Sequence, residues 1–550
     1  MSTVTLRPWQ RAAFDLFRAG DDPDFLAVAT PGAGKTTFAL TCARAAMADE
    51  RRRLVVVAPT SHLKIQWSLA AHRMGLQLDP DWAPGQGLAR DVHGLVTTYQ
   101  QVAMPASADA LRGLAADAMV ILDEVHHAGD ERAWGDGIQR AFGLAAKRLS
   151  LSGTPFRSDS ARIPFVRYDP TAEGDLAHAD YSYGYADALR DGGVVRPVYF
   201  PRVDGRMEWS TPSGDVLRAS FADELARDQV SARLRTALSL DGDWLPTVLG
   251  QAHDRLRQIR RDHRDAGGLV IAIDQEHAHG IARILRNRFD ATADVVVSDD
   301  PQASRKIAEF AHNDRPWLVA VRMVSEGVDI PRLRVGVYST TTSTELFFRQ
   351  AVGRFVRWQA GRNSQKAYVY VPDDPRLRHH AFQIAEARRH VLRPPGQADE
   401  QADDELDAQV HPDDMAEQLS LFSVVSATAT GITFHAVTED GVQLFDDEPD
   451  PPTPDFDDDP TLAVDLPDIP TEAGLVPWSS LSVAEQKDDL RTRNADLAKR
   501  LVDMTGWGHA RVQGELNQLA GVSKVATATT DQLERRLRYG ESWLRRLRRS

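Results

Sequence analysis

The sequence has very little cysteine, because Cys42 is the only one in 550 residues. A single thiol excludes an internal disulfide and argues against a zinc or iron–sulfur site built on thiolates. Long apolar runs are also lacking, since no stretch approaches the roughly 18 apolar residues that a membrane-spanning helix requires. The first ten residues do not show the basic and then apolar pattern of a secretory signal peptide. These absences predict a cytoplasmic protein.

Positive charge is scarce overall, and the formal net charge is −14. The deficit is local, because residues 394–470 contain 21 Asp and Glu but no Lys or Arg. Residues 471–550 carry a surplus of 4 positive charges, and residues 1–393 carry a surplus of 3. The acidity therefore belongs to one segment, and it does not exclude nucleic-acid binding by the rest of the chain.

Short apolar runs alternate with helical stretches in two regions of the chain. In the first region they cover residues 25–29, 54–58, 94–98, 119–123 and 148–152. In the second region they cover residues 268–273, 293–297, 317–321, 335–338 and 367–371. Continuous apolar strands separated by helices predict parallel sheets that are covered on both faces. We therefore predict an α/β fold with two tandem parallel-sheet lobes.

Composition divides the chain into four predicted regions. They are lobe 1 (1–217), lobe 2 (218–393), an acidic proline-rich linker (394–470) and a small C-terminal helical domain (471–550). Much of the linker should be disordered, because it cannot bury enough apolar surface to offset chain entropy. Its more apolar middle, residues 419–445, is predicted to form a small hairpin. Trp507 and Trp543 are expected to anchor the core of the helical domain.

A glycine-rich loop follows the first apolar run and reads Ala-Thr-Pro-Gly-Ala-Gly-Lys-Thr over residues 29–36. Gly32 and Gly34 would let successive N–H groups face a phosphate, and the following helix N-terminus adds positive potential. Lys35 would bind the β- and γ-phosphates of ATP, and the Thr36 hydroxyl would bind Mg²⁺. A glycine-rich turn without a ligand is the alternative. The predicted cofactor-binding set also includes Thr30, Pro31, Ala33 and Thr37.

Two adjacent carboxylates end the apolar run that begins at residue 119. The sequence there is Asp-Glu-Val-His, and Asp123 lies 88 residues after Lys35. Asp123 can hold Mg²⁺ through a water, and Glu124 can polarise the attacking water. Such a pair alone would be an ordinary loop start, but beside a phosphate loop it predicts a hydrolase. We therefore predict catalytic roles for Lys35, Asp123, Glu124 and His126.

These motifs resemble those of superfamily-2 helicases of the DEAD/DEAH-box class, with a DEVH-type box similar to that of nucleotide-excision-repair helicases. Matching motifs extend from residue 6 to residue 357. The resemblance implies two RecA-like lobes with ATP and Mg²⁺ as cofactors. Residues 6–10 (Leu-Arg-Pro-Trp-Gln) resemble the upstream adenine-reading motif, which implies that Arg7 and Gln10 contact the nucleotide.

Further motifs of the same family concern nucleic acid and the coupling of the lobes. Residues 58–61 and 97–100 resemble motifs Ia and Ib/Ic, and residues 151–157 resemble motif III. The nucleic-acid contacts implied are Pro59, Thr60, Thr98, Tyr99 and Gln100. Residues 325–331 resemble motif V, which places Gly327 and Asp329 near the nucleotide. Val321 departs from the family, which often has a threonine there that contacts a nucleic-acid phosphate.

Residues 349–357 resemble motif VI, the source of arginines from the second lobe. On a helix, Gln350, Arg354 and Arg357 would stand at i, i+4 and i+7 and share one face. That face could present the three side chains to a γ-phosphate held on the other lobe. Guanidinium groups neutralise the charge that develops in phosphoryl transfer. A solvated basic helix face is the alternative.

The sequence thus predicts an ATP-dependent helicase or translocase with DNA as its nucleic-acid partner, similar to DNA repair, restriction and defence motors. Two alternatives remain: an ATP-driven remodelling or clamp subunit of a repair or defence complex without strand separation, and an RNA helicase. The basic, aromatic stretches 535–539 and 543–549 suit either a strand-binding domain or a solvated helix face. The acidic linker would serve as a tether or as an autoinhibitory mimic of nucleic acid.

Overall fold

The computed structural model divides the chain into two compact units. Unit 1 comprises Met1–Ala29, Gly34–Ser182 and Asp455–Ser550, and unit 2 comprises Thr30–Ala33 and Tyr183–Pro454. The residues that the structure describes are 2–50, 53–126, 132–153, 157–158, 162–171, 174–211, 214–297, 300, 302–321, 330–359, 361–362, 365–392, 423–434, 459–475 and 479–547.

The first part of the chain alternates strands with helices. Its elements are β1 (Ser2–Thr5), α1 (Pro8–Ala19), β2 (Asp24–Ala29), α2 (Lys35–Glu50), β3 (Leu54–Ala58), α3 (Ser61–Arg73), β4 (Leu78–Asp79), β5 (Gly94–Thr98), α4 (Tyr99–Ala103), α5 (Pro105–Leu114), β6 (Met119–Leu122), α6 (Arg132–Phe142), β7 (Lys147–Ser152), β8 (Arg157–Ser158), β9 (Arg167–Thr171), β10 (Gly174–His178) and β11 (Tyr181–Tyr183).

Seven of these strands form one sheet in the order β11-β2-β7-β6-β3-β5-β4. The pairs from β2 through β4 are all parallel. Every residue of β3 and β5 is buried, as expected for parallel strands covered on both faces. Gly94 is required for this close pairing, because a Cβ there would lie 1.8 Å from the Leu54 carbonyl oxygen. The five strands predicted for the first lobe are confirmed.

The second part of the chain contributes the elements of unit 2. They are α7 (Tyr185–Asp191), β12 (Val198–Tyr199), β13 (Pro201–Ser210), β14 (Val216–Ser220), α8 (Arg227–Ala237), α9 (Trp244–Asp262), β15 (Gly267–Ala272), α10 (Gln275–Phe289), β16 (Ala293–Val296), α11 (Ala303–His312), β17 (Trp317–Val321), β18 (Leu333–Tyr338), α12 (Glu345–Val352), β19 (Ala367–Pro372), α13 (Pro375–Leu392) and β20 (Ser423–Phe434).

The sheet of unit 2 has the order β14-β13-β19-β18-β15-β17-β16, and β12 and β20 pair with β19 and β13. Its strands β15 to β19 pair in parallel, and they match the five predicted runs. The predicted α/β fold with two tandem parallel-sheet lobes is thus confirmed. Trp209, Trp244 and Trp317 are almost completely buried in this unit and fill its core.

The structural units differ from the predicted domain bounds at the end of lobe 1. The border lies between Ser182 and Tyr183, whereas the sequence placed it at residue 217. The reason is strand pairing: β12 and β13 join β19 in parallel register, so this stretch extends the second sheet. Of the hairpin predicted within 419–445, only residues 423–434 are described, and they form β20, which pairs antiparallel with β13.

The C-terminal part of the chain belongs to unit 1 and contains β21 (Ala463–Leu466), α14 (Val483–Thr505), α15 (His509–Ala520) and α16 (Thr530–Leu547). The strand β21 pairs antiparallel with β1, so residues 459–470 are folded against unit 1, although they lie within the predicted linker. Helix α14 begins with a capping box of Ser482 and Glu485 and ends at Gly506 in the left-handed region.

The three C-terminal helices share one apolar core, and the predicted helical domain is confirmed. Trp507 and Trp543 pack against that core with ring centroids 5.5 Å apart. Across the stretches that the structure describes, none of the helices combines the length and the apolar character needed to cross a membrane.

Candidate functional site

The glycine-rich loop lies between the end of β2 and the start of α2. Gly32 and Gly34 have φ angles of +85° and +92°, which side-chain-bearing residues rarely adopt. Thr30 and Ala33 are buried, whereas Pro31, Thr36 and Thr37 are partly exposed. The loop conformation therefore needs both glycines, and Lys35, Thr36 and Thr37 form the first turn of α2.

The Lys35 ammonium is held at the carboxyl ends of the parallel strands. Its Nζ donates to the Ala29 carbonyl oxygen at 3.2 Å and to Glu124 Oε1 at 3.0 Å. The other carboxylate oxygen of Glu124 accepts from the backbone N–H of Gly153 at 2.9 Å. A Cβ at position 153 would lie 3.2 Å from Lys35 Nζ, so glycine allows this close approach.

Glu124 adopts a backbone conformation that is uncommon for residues with a side chain. Its φ is +48°, in the left-handed region, and such outliers in folded proteins often occur at functional sites. Burial alone would raise the pKa of Glu124, but the Lys35 ammonium and the donors around it lower this pKa below its ordinary value. Glu124 is therefore an ionised partner of Lys35 in this structure.

Asp123 lies beside Glu124 in a different environment. Its Oδ2 accepts from Trp67 Nε1 at 2.8 Å, and its backbone carbonyl accepts from the Tyr99 hydroxyl at 2.8 Å. Burial, followed by the Glu124 carboxylate, raises the pKa of Asp123 above its ordinary value. His126 Nδ1 lies 3.3 Å from Ser152 Oγ and 3.7 Å from Glu124 Oε2, so both Lys35 and His126 lie close to the Glu124 carboxylate.

Gln10 fixes the chain before α1 to the phosphate loop. Its Nε2 donates to the Gly34 carbonyl oxygen at 2.8 Å, and its Oε1 accepts from the backbone N–H of Arg7 at 2.8 Å. A Cβ at Gly34 would lie 2.7 Å from Gln10 Nε2 and 3.8 Å from Arg7 Nη1. Gln10 and Arg7 belong to a predicted motif that lies 24 or more residues before Gly34 in the sequence. In the structure both residues lie at the phosphate loop.

The residues present fit a triphosphate with a divalent cation. The positive φ angles of Gly32 and Gly34 shape the loop, Lys35 provides the positive charge, and the α2 N-terminus faces the loop. Thr36 provides a hydroxyl and Asp123 a carboxylate, which are the oxygen ligands that Mg²⁺ prefers. These residues could hold ATP and Mg²⁺.

The predicted nucleic-acid residues do not form one exposed surface. Pro59 and Thr60 are partly exposed after β3, and Gln100 is exposed on α4. Thr98 is mostly buried and caps α4, because its side chain accepts from the Gln101 N–H. Tyr99 is completely buried and stacks on Trp134 with ring centroids 6.2 Å apart. A direct contact of Tyr99 with nucleic acid is therefore not supported; its hydroxyl positions the Asp123 backbone.

The predicted helix over the motif VI residues is wrong in its extent. Helix α12 ends at Val352, so it contains Gln350 but neither Arg354 nor Arg357. The chain turns instead because Phe355 is buried, and a Cβ on Gly336 of β18 would lie 2.5 Å from the Phe355 ring. The three side chains therefore do not share a helix face, although all belong to unit 2.

Two predicted motifs are incompletely covered by the structure. Gly327 and Asp329 of motif V lie outside the described residues, as do residues 154–156 of motif III. Val321 is described at the end of β17 and is 9% exposed. Trp67 was not predicted from the sequence, and a helix pattern gives no signal that its indole would meet Asp123. Gly153 was within a predicted motif but had no individual role.

Comparison with known proteins gives one family match and several relatives. Residues 3–157 match the family described as type III restriction enzyme, res subunit. An uncharacterized protein of Mycobacterium tuberculosis (strain ATCC 25618 / H37Rv) is 47% identical over 405 residues, covering 73% of this chain and 66% of that protein. The chain thus spans slightly less than two thirds of the length of that curated relative.

More distant similarity extends to a viral protein and to a solved structure. A protein named as a helicase in Sulfolobus islandicus filamentous virus is 24% identical over 260 residues, 46% of this chain and 41% of that protein. A fragment of an HsdR subunit of a type I restriction enzyme from Vibrio vulnificus is 17% identical with a TM-score of 0.47, covering 68% of this chain and 65% of that chain.

Proposed function

We propose that this chain, which carries a superfamily-2 helicase domain of the type III restriction enzyme res family over residues 3–157, is an ATP-dependent motor that acts on DNA. The predicted resemblance to superfamily-2 helicases is confirmed by that family match and by the viral relative that is named as a helicase. One observation carries the proposal of ATP hydrolysis: Lys35 and Glu124 are ion-paired beside a glycine-rich loop at the carboxyl ends of parallel strands.

Each part of the phosphate loop and of the strand ends beside it has a chemical task. The loop N–H groups and Lys35 would bind the phosphates, and Gln10 would contact the base. Thr36 and Asp123 would hold Mg²⁺, which when bound supplies positive charge to the phosphate oxygens. Glu124 has the ionised carboxylate that a general base for water requires.

Residues of unit 2 would complete hydrolysis. Gln350, Arg354 and Arg357 follow the motif VI pattern, and Arg354 is partly exposed. Guanidinium groups stay charged and stabilise the charge of a phosphoryl group in transfer. We assign the two arginines this task by residue type and motif, and not by a shared helix face.

DNA is proposed over RNA for two reasons. The family that matches residues 3–157 is named for a restriction enzyme subunit, and restriction acts on DNA. The motifs around Gln10 and the DEVH box are also more similar to DNA repair, restriction and defence motors than to RNA helicases. Binding should fall steeply with salt, because contacts to phosphates release counterions.

The test is a comparison of ATPase rates with single-stranded DNA, duplex DNA, forked DNA and RNA, together with strand displacement on the fork. We expect stimulation by DNA that exceeds stimulation by RNA, and displacement that requires ATP and Mg²⁺. Lys35→Ala serves as the inactive control. Absence of ATP hydrolysis with every nucleic acid would refute the proposal.

A second function uses the same ATP site but does not separate strands. A remodelling or clamp subunit would hydrolyse ATP in response to DNA, and it would release a bound protein without displacing a strand. The forked substrate separates these two possibilities, because only a helicase converts it to single strands.

A further inference from the structure

A C-terminal strand runs alongside the N-terminal part of the nucleotide site. The strand β21 pairs antiparallel with β1 over four residue pairs. The pairing continues past the end of β1, because the Leu6 N–H donates to the Leu462 carbonyl oxygen at 2.9 Å. Leu6 immediately precedes Arg7, so this C-terminal strand reaches the first turn of helix α1, which carries Gln10.

Helix α1 binds the same strand on the other side of that turn. Arg11 Nη1 donates to the Ala463 carbonyl oxygen at 3.1 Å. Gln10, which lies between Leu6 and Arg11, is 3% exposed and donates to the Gly34 carbonyl oxygen. The strand therefore holds the chain both before and after Gln10, and it limits the positions that the Gln10 amide can take.

Helix α2, which begins at Lys35, also binds the C-terminal strand. Arg44 on this helix is 3% exposed, and its Nη2 donates to the carbonyl oxygens of Leu466 and Pro467 at 3.2 and 2.5 Å. A buried guanidinium needs such acceptors, because a charge without partners is strongly disfavoured in the interior. The strand thus contacts both the Gln10 turn and the helix that begins with the phosphate-binding lysine.

The strand is itself anchored firmly to unit 1. Leu462, Val464 and Leu466 are each less than 9% exposed, and they alternate with the partly exposed Ala463 and the exposed Asp465. Beyond the strand, the Ile469 carbonyl oxygen lies 2.8 Å from His93 Nε2. The C-terminal helices follow, and the buried Lys487–Asp91 ion pair joins them to the rest of unit 1.

We propose that β21 is a positioning element of the nucleotide site, and that Arg11 is the positioning residue that couples it to Gln10 and sets the preference for adenine over guanine. This inference rests on the proposed function, because it assigns Gln10 to the base of the bound nucleotide. In this proposal, β21 contributes to the selectivity for the base, whereas the phosphate loop binds only the phosphates.

The test uses Arg11→Met, which keeps much of the aliphatic stem but removes the donor to Ala463. Its matched control is Arg18→Met, since Arg18 is an exposed arginine on the same helix. Gln10→Ala and the double variant with Arg11→Met complete the set. For each protein, KM, kcat and equilibrium Kd are measured with ATP and with GTP, and thermal unfolding monitors the fold.

We expect Arg11→Met to raise KM and Kd for ATP about tenfold, with changes of less than about twofold for GTP and for kcat. Gln10→Ala should lower the ATP-to-GTP preference by a similar factor, and the double variant should lose no more than Gln10→Ala alone. Arg18→Met should match the unmodified protein. A purely structural role of Arg11 would instead change ATP and GTP equally.

Two outcomes overturn the inference: an unchanged ATP-to-GTP ratio in Arg11→Met, or equal binding of ATP and GTP by the unmodified protein. Absence of ATP hydrolysis would contradict the proposed function. The ratio of the Kd for GTP to the Kd for ATP would still test the inference. If Arg11→Met unfolds, Val464→Pro on β21 is measured in its place, because proline removes a backbone donor from the strand.

Discussion

The ammonium of Lys35 lies 3.0 Å from the carboxylate of Glu124, so the two groups predicted to bind phosphate and to activate water neutralise each other. The side chains are 13% and 28% exposed, respectively. A nucleotide phosphate that binds Lys35 would compete with Glu124 for the charge of this ammonium. The Lys35–Glu124 ion pair therefore links nucleotide binding by Lys35 to the release of Glu124 for catalysis.

The first prediction concerns Glu124→Gln. Hydrolysis should slow by about 100-fold or more, because the general base is lost. ATP affinity should be unchanged or higher, since Lys35 no longer has a competing negative partner. Steady-state ATPase assays and ATP titrations measure the two effects, with Asp109→Asn as an exposed carboxylate control on α5. Normal hydrolysis by Glu124→Gln would contradict the assignment.

The second prediction compares two neighbouring arginines of unit 2. Arg354→Ala should slow ATP hydrolysis by about 1,000-fold, as expected for an arginine that stabilises phosphoryl transfer. Arg349→Ala should have a small effect, because Arg349 is ion-paired with Glu345 one helical turn away. ATP binding should persist in both variants. Similar rates for the two variants would remove the catalytic role from Arg354.

The sequence predicts the strands of both sheets well, because their positions depend on local apolar runs that are buried on both faces. It also predicts the phosphate loop, where Gly32 and Gly34 are required by positive φ angles. The end of α12 is different. It depends on Phe355 packing against Gly336 on another strand, and a helical spacing of residues 350, 354 and 357 gives no sign of that contact.

The partner of a strand is harder to predict than the strand itself. Residues 463–466 lie in the most acidic segment, so composition favours disorder, yet they pair with β1 at the opposite end of the chain. Likewise, β13 joins the sheet of unit 2 because it pairs with β19 and β20. Such pairings are set by long-range register, which one sequence does not reveal.

The third prediction concerns the buried ion pair, within unit 1, between Lys487 on α14 and Asp91, which lies between β4 and β5. Their side chains are 5% and 7% exposed, and Asp91 also accepts from the Thr530 N–H. Lys487→Ala should lower the free energy of unfolding of unit 1 by about 3–5 kcal/mol, because it leaves a buried carboxylate without its charge partner. Chemical denaturation measures the change.

The control for that experiment is Lys499→Ala on the same helix, where the lysine side chain is 74% exposed. Its effect should stay below about 0.5 kcal/mol. A loss for Lys487→Ala as small as that of the control would show that the ion pair does not hold the C-terminal helices on unit 1.

The last prediction concerns pH and His93, which immediately precedes β5 and contacts the C-terminal segment at Ile469. His93 Nδ1 accepts from the Gln77 N–H at 2.8 Å, and Nε2 lies 2.8 Å from the Ile469 carbonyl oxygen. This arrangement requires the neutral ring. Burial is the main cause that lowers the pKa of His93 below its ordinary value, and the nearby Arg44 guanidinium lowers it further.

A histidine whose pKa is lower in the folded state stabilises the fold fully above about pH 6.5, its ordinary pKa. The stabilisation is lost as the pH falls below that value, because protonation removes the acceptor for the Gln77 N–H. We therefore expect the protection factors of the β1 and β21 amides, which correct for the intrinsic pH dependence of hydrogen exchange, to fall between pH 7 and pH 5. His93→Gln should reduce this pH dependence, since an amide has an acceptor and a donor but does not titrate.

His277→Gln is the matched control, because His277 is a buried histidine of unit 2 with a lowered pKa. An equal loss of pH dependence at β21 in both variants would contradict a specific role of His93.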